Sequence, residues 1–127
     1  MKLKLIFLTF SALCFFAVPF SVLAQNSQIW TPPPRKGTVY VIVQFTKGMG
    51  ITPIDTNVSI EWGNWRKSGR FNPSGGRTPK SGVVIKLQHT KDDSVPMTVR
   101  TDGRILRIFQ GDPPSEWSNG NWHTASW

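Results

Sequence analysis

The sequence predicts an all-β domain, a small antiparallel β-sandwich or small barrel, and three observations carry that prediction. Short blocks rich in Val, Ile, Thr and aromatic residues recur along the chain, each bounded by Gly, Pro, Asn or Asp. No segment after residue 24 shows apolar residues at helical spacing with capping residues at its ends. The length also fits, because residues 1–24 of the 127 read as a secretory signal peptide. About 100 residues then remain, enough for one small domain and too few for two.

The signal peptide is read from Lys2 and Lys4, the apolar run Leu5–Phe20, and Ser21-Val22-Leu23-Ala24 before a cut at Gln25. A secreted or periplasmic protein is the expectation. Residues 25–37 follow as an extended arm, since Pro32-Pro33-Pro34 holds a polyproline conformation and cannot donate to a sheet ladder. The sandwich itself is assigned to residues 38–127. Thr38–Phe45 is dense in β-branched residues and reads as a strand buried on both faces. Asn57–Trp62 alternates, with Val58, Ile60 and Trp62 on the apolar phase. Asn64–Gly82 reads as a long loop, because its glycines, prolines and serines surround five basic residues and no acid.

Gly82–Gln88 is the next strand, Val95–Thr101 the one after, and Asp102-Gly103 carries a two-residue hairpin signal joining Met97–Thr101 to Arg104–Phe109. A last short strand is expected around Asn121–Ala125. The candidate core is Val41, Val43, Val58, Ile60, Trp62, Val84, Leu87, Ile105 and Ile108.

The composition excludes several chemistries for the exported part. The one cysteine, Cys14, lies inside the signal segment, so a disulfide scaffold, a cysteine nucleophile and a cysteine-ligated zinc are ruled out. The two histidines, His89 and His123, have no metal-binding spacing, and no Gly-x-Ser-x-Gly accompanies them. Asp92, Asp93 and Asp102 occupy turn positions, where Asp serves the backbone. No catalytic residue, metal site or cofactor is therefore assigned, although a hydrolase pairing His89 or His123 with a carboxylate stays open as an alternative.

The informative feature is charge placed beside indole. The chain carries a net charge of +8 and six tryptophans. Trp65-Arg66-Lys67 and Arg70-Phe71, extended by Arg77 and Lys80, mix rings with cations. Such a mixture suits a membrane interface, where indole sits at headgroup depth and cations meet anionic phosphate. It equally suits an acidic glycan or another polyanion, and a solvated loop is the bland alternative. Trp117 and Trp122 lie in polar, Asn- and Gly-rich surroundings and join the candidate binding set. The first expectation is a non-enzymatic binder of membrane lipids, anionic in the main. A carbohydrate- or polyanion-binding module is the alternative, and no specific nucleic acid is predicted.

Tyr40-Val41-Ile42-Val43, a Gly-containing turn, and an alternating strand ending in Trp62-Gly63 resemble the opening of the aegerolysin family. Ser68-Gly69-Arg70, Gly76-Arg77, and the later Phe109, Asp112, Pro113-Pro114 and Asn121-Trp122 are similar to its further segments. The resemblance implies a β-sandwich that binds membrane lipids, haemolysin-like, and acts with a larger pore-forming partner. The chain differs from the family pattern in its basic charge and in lacking a Cys-Pro-Trp run.

Overall fold

The computed structural model describes residues 26–48, 52–75, 78–112 and 115–127. The expected signal peptide and Arg77 lie outside the described residues. The chain forms β1 (Asn26–Trp30), β2 (Gly37–Gln44), β3 (Lys47–Gly48), β4 (Thr52–Pro53), β5 (Thr56–Trp62) and β6 (Trp65–Phe71). It continues through β7 (Gly82–His89), β8 (Met97–Thr101), β9 (Arg104–Gln110), a single 3-10 turn over Ser115–Trp117, and β10 (Trp122–Ser126). One sheet has the order β1-β8-β5-β6 and the other β10-β7-β2-β9, with β3 and β4 as a small separate ladder. The two four-stranded sheets pack face to face as a β-sandwich, the fold class that the strand pattern predicts.

Alternation places the core. Val39, Val41 and Val43 of β2 and Val83, Ile85 and Leu87 of β7 face Val58 and Ile60 of β5 and Met97 and Val99 of β8, all buried. Ile108 is buried with them, while Ile105 and Trp62 are half-buried against the same cluster. Val84 is buried too, but it points away from this layer, as does Ile42. Two threonines enter the interior with their hydroxyls satisfied. Thr56 Oγ1 donates to Ile54 O at 3.0 Å, and Thr101 Oγ1 donates to Asn57 O at 2.6 Å.

Three local expectations change. Asn26–Trp30, expected within an extended arm, adds to β8 as an antiparallel edge strand. The proline triplet stays outside the ladder, and Trp30 packs edge-on against Trp62 at 6.5 Å. The segment expected as a loop from Asn64 contains β6, which pairs with β5 along its whole length. Gly63, with φ of 61°, and Asn64 form the two-residue turn between them. The charged side chains obscured this strand, because an edge strand with one solvated face tolerates Arg and Lys without losing its ladder.

The third change is at Asp102-Gly103. Met97–Thr101 pairs with β1 and β5, whereas Arg104–Gln110 pairs with β2 in the opposite sheet. The dipeptide is a corner between sheets instead of a hairpin. Asp102 caps that corner by accepting from Asn57 N at 2.8 Å. Gly103 passes so close to Gln44 O that a Cβ there would lie 2.4 Å from it.

β10 departs from the antiparallel pattern by pairing parallel to β7. Since β9 and β10 hold opposite edges of their sheet, the connection 111–121 crosses from one edge to the other. A parallel connection needs about a dozen residues, and this one has that length.

Candidate functional site

The turn Gly63-Asn64 sets Trp62 and Trp65 opposite one another at one end of the sandwich. Here the sheets part and leave an open cleft of about 620 Å³ lined by Trp62, Asn64, Trp65, Gln88, Lys91 and Trp127, among others. Each indole is held differently. Trp62 donates from Nε1 to Val95 O at 2.8 Å and stacks on His89 with 5.2 Å between ring centres. Trp127 donates its backbone N–H to Lys86 O at 2.9 Å and stacks on Phe71 at 5.9 Å. Trp65 stands on the rim with 39% of its surface exposed.

His89 forms the floor beneath Trp62 and is buried. Its Nδ1 lies 3.1 Å from Gln110 Oε1 and its Nε2 lies 3.3 Å from Asp93 Oδ1. The His89 ring, then the Val95 backbone amide, hold the Asp93 carboxyl below the usual carboxylate range. His89 thus orients Trp62 and the 90–95 turn with both nitrogens engaged. His123 is remote from the cleft, its Nε2 2.8 Å from Asn72 O. Among the described residues no cluster of His, Cys, Asp and Glu could hold a metal ion.

The sequence-derived binding residues divide among three surfaces. Trp65, Lys67 and Phe71 share the inward phase of β6, where Lys67 Nζ lies 5.7 Å from the centre of the Trp127 ring. Arg66 and Arg70 take the opposite phase of the same strand. Arg66 pairs with Glu61, which Arg100 also approaches at 3.5 Å, and Arg70 pairs with Asp55 at 3.2 Å. The Arg66 hydrogen bond, reinforced by the charges of Arg66 and Arg100, holds the Glu61 carboxyl below its usual range.

Trp117, in the 3-10 turn between β9 and β10, packs on Phe109 of the other sheet at 6.2 Å. Trp122 lies across Gly82, so closely that a Cβ on that glycine would come within 2.5 Å of its ring. Lys80 reaches the carbonyl of Gly120.

The cleft gathers residues outside the binding set assigned from the sequence, above all Trp127, Asn64, Gln88 and Lys91. One signal was available. Trp62-Gly63-Asn64-Trp65 is a two-residue turn flanked by large apolar residues, and a two-residue turn forces the flanking pair onto one face. Trp127 had no such signal, since its place depends on which strand β10 joins. A cleft of this kind can hold a flat apolar surface against indole while Asn64, Gln88 and Lys91 offer polar groups at its edge. No protein family, curated protein or solved structure matches the chain.

Proposed function

We propose that the protein is a non-enzymatic, exported carbohydrate-binding module whose end cleft takes a sugar ring. The convergence of Trp62, Trp65 and Trp127 on one open cleft with amide and ammonium groups supports this reading above all. A sugar ring has an apolar face that packs on indole and an equatorial rim of hydroxyls that pair with Asn64 and Gln88. Trp65 is the platform, because it is the exposed indole of the three. Trp62 and His89 form the rigid floor, which limits the ordering cost of binding.

A second reading, docking on lipid membranes, has its own observation. Trp65 and Val95 are both exposed large apolar residues and both line this cleft, with Lys91 beside them. An indole and a cation at one tip suit insertion at headgroup depth among anionic lipids. The aegerolysin resemblance, with its pore-forming partner, belongs to this reading.

One experiment separates the two. Tryptophan fluorescence is titrated with a panel of neutral oligosaccharides, then with phosphatidylcholine vesicles with and without phosphatidylserine. The first reading expects a salt-insensitive response to at least one oligosaccharide, weakened about fivefold by Trp65→Ala, since stacking contributes on the order of 1 kcal/mol. A response to vesicles alone, rising with phosphatidylserine and falling with salt, overturns it in favour of the membrane.

A further inference from the structure

The outward faces of the two sheets treat their cations differently. On the β1-β8-β5-β6 sheet, Arg66 and Arg100 share Glu61, and Arg70 has Asp55. On the β10-β7-β2-β9 sheet the outward residues run in rows fixed by register. Lys86, Tyr40 and Phe109 form one row, Val84, Ile42 and Arg107 the next, and Gly82, Gln44 and Arg104 the third. Lys86, Arg104 and Arg107 are exposed. None of the three makes an ion pair among the described residues. Asp112 and Glu116, in the connection that crosses this face, lie within ion-pair reach of none of them.

Aromatic rings hold one of these cations in place. Tyr40 stacks on Phe109 at 5.3 Å, and Trp117 packs on Phe109 from the crossing segment. The Arg107 guanidinium lies 4.6 Å from the Phe109 ring centre and 5.9 Å from that of Trp117. Cation–π contact fixes its position without using its N–H fork, which makes no hydrogen bond to the protein among the described residues. Such a fork is prepared for bidentate pairing with an oxyanion. Lys86 stands two strands away, roughly 10 Å across the sheet, and Arg104 lies further along β9.

We propose that this face is a docking surface for a sulfated polysaccharide, separate from the end cleft and independent of the function assigned there. Repeating oxyanions along an extended chain match cations that stand exposed around this face, whose centre, Ile42 and Val84, is itself buried. The Phe109 ring, on which a nucleic-acid base would stack, is already packed by Tyr40, Trp117 and Arg107. Tyr40, Phe109 and Trp117 are half-buried, which leaves less apolar ring surface to enter a bilayer.

The test uses heparin as the sulfated probe, dextran as the uncharged control, an oligo(dT) strand and anionic vesicles, all with the full exported chain. Two variants each remove three positive charges: Lys86→Gln/Arg104→Gln/Arg107→Gln on this face, and Arg66→Gln/Arg70→Gln/Arg100→Gln on the other. Heparin binding at low salt is expected to fall at least tenfold in the first and less than threefold in the second. The double variant Lys86→Gln/Arg104→Gln, which leaves the Arg107 stack intact, should fall at least threefold and guards against misfolding of the triple. Equal losses in both triple variants would reduce the effect to net charge and overturn the proposal. Absence of heparin binding, or tighter binding of oligo(dT) or vesicles, would overturn it too.

Discussion

Gly69 is the position at which one methyl group tests how the end cleft is built. It lies mid-strand in β6 beneath the Trp127 indole, and a Cβ there would sit 2.8 Å from Trp127 Cζ2. Ordinary contact begins at 3.4 Å, so either the ring or the strand must give. The ring has little room to retreat, with Phe71 stacked on it and its backbone tied to β7. Overpacking of this kind costs about 1–3 kcal/mol. Against it stands a gain of about 0.5–1 kcal/mol, because alanine suits a strand interior better than glycine.

The clash outweighs the gain. Gly69→Ala should therefore lower stability by about 1–2 kcal/mol, and each kcal/mol lowers Tm by roughly 4–8 °C in a domain of this size. In a Trp127→Ala background the clash is gone and only the gain remains. There the same substitution should stabilise by about 0.5–1 kcal/mol. Urea unfolding followed by far-ultraviolet circular dichroism measures all four proteins without relying on the deleted indole. The same sign in both backgrounds would refute the packing of Trp127 on Gly69, and with it the shape of the cleft.

Two further substitutions probe the scaffold. Gly103→Ala places a Cβ 2.4 Å from Gln44 O and 2.8 Å from Thr56 Cγ2, backbone and buried side chain that cannot move aside. It should cost about 3 kcal/mol, and a loss under about 1 kcal/mol in urea unfolding would show that the corner between sheets is looser than described. Glu61, its carboxyl held below the usual range by Arg66 and then Arg100, stabilises the fold above about pH 4, where the unfolded chain is also ionised. That stabilisation falls away as the pH drops through the ordinary glutamate range to the depressed value. Glu61→Gln should flatten the acid side of the stability profile, and an unchanged acid slope in urea midpoints would contradict the Arg66–Glu61–Arg100 pairing.

The all-β class and the most strongly patterned strands were legible in the sequence. Thr38–Phe45, Asn57–Trp62 and Gly82–Gln88 announce themselves because β-branched alternation and turn chemistry are local properties. It also placed most of the core, since Val41, Val43, Val58 and Ile60 have no alternative phase once their strands exist. β6 was hidden because its cations imitate a loop, and only pairing with β5 shows that they line a solvated edge. Tertiary structure alone decided that Asp102-Gly103 turns between sheets, because whether two adjacent strands pair depends on which distant strands compete for their edges.

The same non-local choice splits the cations into a paired set on one sheet and an unpaired set on the other. It also carries Trp127 across to Gly69 and so completes the cleft. Side-chain alternation is written residue by residue, but the partner of each edge is settled by burial summed over the whole domain.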